Sequence, residues 1–507
     1  MKRNHYHSKT AIIISVIFTL INMPSAWGQT TVIKRQSETQ RPRQISKTVA
    51  KPKVVEMTKE QYFERAKQQS NAAAALPDYR KAADMGHAEA LDSIGMYYYD
   101  GKGGVDKDYL EAVIYFKKSA ELGNASGMFH LGQMYNRGEG VTKDRDEALK
   151  WFRKAAELGN LKAMGNIGNS YRDGDGVAKS YSEALKWYRK AADKGHTNSM
   201  NNLGTMYENG QGVTKDYAEA MKWYRKAADL GNMYAMTNLG AMYAKGQGVT
   251  KNDAEAAKWY RKAADLGLDH AMNNLAYLYE EGRGVTKNQT EAVKWYQKAA
   301  DLGHSDAIFC LANHYRTGEG ITRDYNKSFS LYKAAVEKGH VGAMNNLGYM
   351  YENGYGTTKD ILEAFNWYKK AAEQGDAVAM TNLGKGYYNG TGVAKNEKEA
   401  EAWLKKAIEK GNNDAKTFLE KNIGKSVHLF VYFYEKGKKE AVIGASITLV
   451  DKKGKSISQK GTVTDFHGNA TMRLKIGDRI RIGFVGCKYS YLTIGDKDSY
   501  EIRIYEE

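Results

Sequence analysis

At 507 residues the chain is longer than one hydrophobic core usually serves, which predicts several domains or a repeat array. With 51 glycines, 36 tyrosines and only 4 prolines, the composition excludes a low-complexity chain and fits short helices joined by glycine turns. Lys plus Arg (76) exceeds Asp plus Glu (59) by 17, but no basic stripe with interleaved aromatics stands out, so no nucleic-acid partner is expected.

The N-terminus reads as an export signal. Lys2, Arg3 and Lys9 precede the apolar run Ala11 to Ile21, and Pro24, Ser25 and Ala26 supply the small-residue section before a cleavage point between Ala26 and Gln29. The run is 11 residues, short of the roughly 20 a spanning helix needs, so residues 1–28 are expected to be removed with no transmembrane anchor in the mature chain. The expected location is periplasmic or extracellular, with outer-membrane association open. Residues 29–56 are polar and basic without apolar periodicity and read as a flexible linker.

From Met57 the sequence repeats. The second glycine of a Gly-x-Gly pair recurs every 36 residues as Gly140, Gly176, Gly212, Gly248, Gly284, Gly320, Gly356 and Gly392, with Gly104 extending the series backward. Trp151, Trp187, Trp223, Trp259, Trp295, Trp367 and Trp403 mark the same register, Leu331 and Tyr115 filling the remaining slots. Within one unit, Met200, Leu203, Gly204 and Tyr207 share a helical face and define helix A. The stretch Glu208 to Thr214 breaks the pattern with two glycines. Helix B then starts at Asp216, a capping residue, and carries Ala220, Trp223, Tyr224, Ala227 and Ala228 on its apolar side up to Gly231. One pair cannot bury both faces, so stacking about nine of them predicts a mainly α fold, an α/α superhelical solenoid over 57–422, with atypical pairs at its ends.

The set Ala-x-x-Leu-Gly-x-x-Tyr, Gly-x-Gly-Val and Ala-x-x-Trp-Tyr-x-x-Ala-Ala-x-x-Gly resembles the Sel-one-like repeat, a relative of the tetratricopeptide repeat, over residues Met57 to Leu419. That resemblance implies a surface for protein–protein interaction. From Lys425 the period becomes two: Val427, Leu429, Val431 and Phe433 alternate with their neighbours, and runs at 445–450, 470–474, 479–485 and 500–505 read as further strands. A small antiparallel β-sandwich is expected over 425–507. Ile443 to Ile447, Gly461 to Gly468 and Phe484 to Lys488 are similar to the carboxypeptidase-regulatory-like domain, an accessory module without a peptidase site, although Cys487 stands where that family often has Tyr.

The sequence carries little catalytic or ligand-binding chemistry. The Gly-x-Gly loops follow helices rather than strands, which excludes phosphate loops. His87, His196, His304 and His340 follow the glycine that ends a helix B, and even His304 and His340 are a unit apart, so they read as surface loop residues and no metal site is expected. Asp496 and Asp498 lack the downstream Gly and Glu of a calcium loop. Cys310 and Cys487 fall in different domains and read as free thiols. A cysteine-rich branch of the resembled family is linked to penicillin binding or hydrolysis, but the cysteine pairs that staple its units are missing here. No cofactor and no catalytic residue is expected.

What remains is the surface. By analogy with the tetratricopeptide superhelix, helix A lines the concave side, where the varied slots carry Asn201, Thr205, Asn273, Tyr277, Asn345 and Tyr349 as candidate partner-binding residues. Amides can hold the backbone of an extended peptide, and tyrosine adds rigid contact area. The neighbouring Asn166, Asn202, Asn238, Asn274, Asn346 and Asn382 repeat too regularly to be selective and read as structural bonds to the next unit. The functional expectation is an exported non-enzymatic scaffold for a protein or peptide partner. Alternatives from other classes are a cell-envelope hydrolase, acting on β-lactams or the cell wall, and an envelope glycan-binding protein.

Overall fold

The computed structural model describes residues 56–423 and, beyond them, the strand residues between 425 and 504. The expected signal segment and nearly all of the linker lie outside the described residues, as do most of the residues that carry the carboxypeptidase-regulatory-like resemblance.

Helices α1 (Lys59–Gln68) and α2 (Ala72–Asp84) form the first pair, joined by a bidentate bond in which Arg65 Nε and Nη2 donate to Asp78 at 2.6 Å. Nine further pairs follow: α3 (Ala88–Asp100) with α4 (Tyr109–Glu121), α5 (Ala125–Arg137) with α6 (Arg145–Glu157), α7 (Leu161–Asp173) with α8 (Tyr181–Ala192), and α9 (Thr197–Asn209) with α10 (Tyr217–Asp229). Then come α11 (Met233–Lys245) with α12 (Asp253–Asp265), α13 (Asp269–Glu281) with α14 (Gln289–Asp301), and α15 (Ser305–Thr317) with α16 (Tyr325–Glu337). The last pairs are α17 (Val341–Asn353) with α18 (Ile361–Glu373) and α19 (Ala377–Asn389) with α20 (Glu397–Glu409), and a lone α21 (Asn413–Asn422) closes the array. From α3 onward the odd helices are the A helices and the even ones the B helices, each packed on the next in the chain, as in a solenoid.

Local chemistry sets each boundary. Every B helix from α4 to α20 starts on Asp, Ser or Asn, whose side chain accepts a backbone N–H of the first turn, as Asp216 does from Glu219. The two loop glycines have different tasks. Gly210 adopts φ 69° and ends α9 in a left-handed cap, its N–H donating to the Met206 carbonyl. Gly212 lies against the start of the preceding B helix, where a Cβ would fall 2.8 Å from Tyr181. That crossing between units fixes the 36-residue step. The core is built from small residues facing aromatic rings: a Cβ on Gly204 would sit 2.6 Å from the ring of the fully buried Tyr224.

The C-terminal strands form two four-stranded sheets. In one, β1 (Lys425–Glu435) is flanked by β2 (Lys438–Ala441), β5 (Asn469–Leu474) and β8 (Ser499–Ile504). The other has the order β4 (Ser456–Val463), β3 (Ser446–Val450), β6 (Arg479–Gly483), β7 (Ser490–Thr493). Both sheets contribute buried side chains, Ala470 and Met472 from the first and Ile447, Ile480 and Ile482 from the second. Two features differ from the sequence expectation. Strands β2, β4 and β7 add to the five runs expected, their polar residues having hidden the alternation. Moreover, β8 pairs parallel with β1, Leu429 opposite Tyr500, so the first sheet is mixed; the final strand returns beside the first after a crossover long enough for parallel pairing.

Candidate functional site

The A helices share a cap. Asn124, Asn160, Asn232, His304, His340, Asp376 and Asn412 each cap an A helix by accepting the N–H three residues on. The histidines expected in surface loops therefore belong to helix starts. His87 caps α3 through Nδ1 in the same way, and His196 stands at the cap of α9 with Nδ1 2.8 Å from Ser199 Oγ. His304 is only 8% exposed. Burial lowers the His196, His304 and His340 pKa values, so these imidazoles favour the neutral form.

Three of the caps also meet the second residue of the preceding A helix, 34 positions earlier, whereas Asn160 and Asn412 donate through Nδ2 to the carbonyl of its first residue, Ala125 and Ala377. Asn232 Nδ2 donates to Asn198 Oδ1 at 2.7 Å, His304 Nε2 lies 2.9 Å from His270 Nδ1, and His340 Nε2 lies 3.7 Å from Asp306. The expectation that the nearest histidine pair is His304 with His340 is thus corrected: His304 meets His270, because the contact runs across the helix starts rather than along one slot.

Further along the A helices runs an amide ladder. Asn238 Nδ2 donates to Asn201 Oδ1 and Asn382 Nδ2 to Asn345 Oδ1, both at 3.0 Å, joining the sixth residue of one A helix to the fifth of the one before. Where the fifth residue offers no acceptor, as at Gly165 and Phe309, the amide turns to the ninth: Asn202 donates to Asn169 and Asn346 to Asn313. Tyrosines of the B helices join in, Tyr188 and Tyr332 donating to the same Asn169 and Asn313, and Tyr224, Tyr296 and Tyr368 to Glu208, Glu280 and Glu352. Burial raises the pKa of each of these phenols, so they remain donors.

This ladder sorts the expected partner-binding residues. Tyr277 and Tyr349 are exposed at 46% and 38%, with free ring surface. Asn201 is half-buried and engaged with Asn238, Thr205 donates to the Asn201 carbonyl, and Asn273 is half-buried with an Oδ1 that finds no partner. Asn345 requires correction as an accessible contact residue: it is 8% exposed, accepts from Asn382 and donates to Asn346, so its amide is spent on the fold.

The A helices α7, α9, α11 and α13 together line an open recess of about 550 Å³. Asn169, Arg172, Asn198, Asn201, Asn202, Tyr234, Thr237, Asn238, Leu268 and His270 face it, and Tyr234 is 54% exposed. Sequence reasoning found Asn201 but missed Arg172, Asn198, Tyr234 and His270. The available signal was the second-residue slot, which reads Lys162, Asn198, Tyr234, His270, Asp306, Gly342 and Val378 and varies more than any slot chosen. Six of the recess residues recur 144 positions on, as Asn313, Arg316, Asn345, Asn346, Thr381 and Asn382, while Asn198, Tyr234 and His270 become Gly342, Val378 and Asp414. The floor is therefore repeated and the rim individual. The Cys310 thiol, pushed up to about 12 mainly by burial, is no nucleophile at neutral pH.

Nine consecutive segments, 88–124, 125–160, 161–196, 197–232, 234–268, 269–304, 305–340, 341–376 and 377–412, match the family model of the Sel1 repeat. Among solved structures, c5321, a protective antigen of uropathogenic Escherichia coli strains displaying an SLR fold, is 36% identical with a TM-score of 0.56, over 71% of this chain and 77% of its own. A Sel1 repeat protein from Oxalobacter formigenes is 35% identical over 48% of this chain and 96% of its own, with a TM-score of 0.45. Cysteine rich protein B of Helicobacter pylori is 30% identical over 25% of this chain and 92% of its own, with a TM-score of 0.22. No curated protein matches the chain. Helix pair by helix pair, from the first matched segment at residue 88 to the last at residue 412, the chain belongs to the Sel1 repeat family.

Proposed function

We propose that this protein is an exported, non-enzymatic scaffold that holds an extended segment of a partner protein along its A helices. Sel1 repeat proteins generally mediate protein–protein interaction. The observation that carries the finer reading is the recess across α7, α9, α11 and α13, where amides, an arginine and a half-exposed tyrosine line one continuous face. A side-chain amide that spends one N–H on the ladder keeps a second N–H and a lone pair, enough to pair with a peptide backbone. Tyr234, Tyr277 and Tyr349 add ring surface at low entropic cost. Export rests on the charged, apolar and small-residue sections of residues 1–28, and the C-terminal sheets provide a second attachment point, in line with the carboxypeptidase-regulatory-like motifs. Among the described residues no helix is long and apolar enough to cross a membrane.

The test compares the wild-type chain with a Tyr234→Ala, Tyr277→Ala, Tyr349→Ala variant as bait for envelope extract. These rings are exposed, so their removal leaves the ladder intact. A discrete protein retained by the wild type and lost by the equally stable variant supports the reading. Equal retention by both moves the contact surface elsewhere.

A further inference from the structure

The contact between an A-helix cap and the second residue of the A helix before it takes a distinct form at α13 and α15. There the two side chains are both imidazoles, His304 Nε2 lying 2.9 Å from His270 Nδ1, and the Asp269 carboxylate joins them so that the three ligand atoms lie within 4.8 Å of one another. We propose that Asp269, His270 and His304 form a binding site for one borderline divalent transition-metal ion, of which zinc is the type, with a coordination position open toward the helix-A recess.

The donor set decides the metal class. Two imidazoles and one carboxylate suit zinc and its neighbours, whereas calcium requires six or more oxygens. A tetrahedral ion with bonds of about 2.0–2.1 Å sets its ligand atoms roughly 3.3 Å apart, so the imidazoles separate by a few tenths of an ångström and the carboxylate closes in. The parts able to move are the right ones, since His270 is exposed and Asp269 half-exposed in the first turn of α13, while His304 is buried and fixed.

His304 Nδ1 accepts the Ala307 N–H at 3.3 Å, so Nε2 carries the ring proton and donates it to His270. The ion takes the place of that proton, which moves to Nδ1 at the expense of a long cap bond. Burial favours a neutral His304, the form that ligates. The first turns of α13 and α15 both direct positive helix ends here, a cost that the Asp269 charge offsets. Three protein ligands leave a fourth position, and because His270 also lines the recess, that position points to where a partner's carboxylate or imidazole would lie. The site does not depend on peptide binding in the recess.

Isothermal titration of the tag-free full chain, stripped with chelator, is the test, using Zn²⁺ alone. One saturable equivalent is expected. His270→Ala and His304→Asn should each weaken it by about 100-fold or more, beyond what loss of an outer-shell partner costs. Asparagine is itself the cap at Asn160 and Asn232, so His304→Asn keeps the helix start, and equal thermal melts of variant and parent verify this. His340→Asn should bind like wild type. Cobalt provides a second readout, with intense four-coordinate visible absorption in the wild type and none in the two variants. Saturable binding that survives both substitutions, or no saturable binding by the wild type at micromolar free zinc, overturns the proposal.

Discussion

Cys310 occupies a slot that asparagine fills at positions 166, 202, 238, 274, 346 and 382. In the ladder this residue donates to the one 37 positions earlier, as Asn238 does to Asn201 and Asn382 to Asn345, and for Cys310 that residue is Asn273. Asn273 Oδ1 is a buried acceptor left without a partner. An unpaired buried polar atom costs about 1–3 kcal/mol, whereas the space for an amide already exists in the sister units. Cys310→Asn should therefore raise the stability of this part of the array by about 1 kcal/mol, read as a higher urea midpoint, and an unchanged or lower midpoint would show that Asn273 is satisfied another way. The same ladder explains which part of the site was legible in the sequence. Regularity assigns the asparagines to structure and variation assigns the residues beside them to a partner, yet the two columns bond to each other. Variation at Gly165 or Phe309 does not signal selectivity, because the facing amide simply turns to Asn169 or Asn313. A hydrogen-bond column with two alternative acceptors tolerates variation that a packing column does not.

At the scale of the element, glycines that look alike in the sequence do different work. Gly231 follows α10 with φ 88° and nothing near the position of a Cβ, so alanine there meets only the left-handed backbone penalty of about 1–2 kcal/mol. Gly284 has φ 68° and touches the start of the preceding B helix, where a Cβ would overlap the Asp253 carbonyl. Gly284→Ala should cost clearly more than Gly231→Ala, by about 2 kcal/mol or more, since backbone at a crossing cannot step aside like a side chain. Comparing the two urea curves tests this, and equal losses would mean that the crossing is soft. The exact 36-residue recurrence of the second glycine carried this information in the sequence. Helix boundaries were equally legible, since caps such as Asp216 act locally. The histidine contacts were hidden, because a cap and the second residue of the preceding A helix are 34 apart, and a search in steps of 36 compares His304 with His340 instead of His270.

At the scale of the whole molecule, an arginine, a tyrosine and a tryptophan link successive units in the middle of the array. Arg225 donates to Tyr243 and lies over the Trp259 ring at 4.7 Å, and Arg261 repeats this with Tyr279 and Trp295 at 4.9 Å. Lys262 and Lys298 cover the same rings from within their own helices at 4.1 and 4.0 Å. One unit later the pattern lapses: Gln297 stands in the arginine slot and bonds to Asp301, and Leu331 stands in the tryptophan slot. The buried core changes there as well, one cluster running from Ala184 to Leu311 and the next from Ile308 to Met350. In a linear array, stability is the sum of unit and interface terms, so one weak interface separates two cooperative blocks. A cation over an aromatic ring contributes about 0.5–2 kcal/mol and a hydrogen bond about 1 kcal/mol, which puts the missing coupling at roughly 2 kcal/mol. Hydrogen exchange in moderate urea should then find α15 and α16 opening while α9 to α14 stay protected. Gln297→Arg together with Leu331→Trp restores both partners, Tyr315 already standing where Tyr279 stands one unit earlier. In that double variant the two blocks should exchange as one, and protection that is uniform in the wild type, or unaltered by the substitutions, would show that burial alone couples the units.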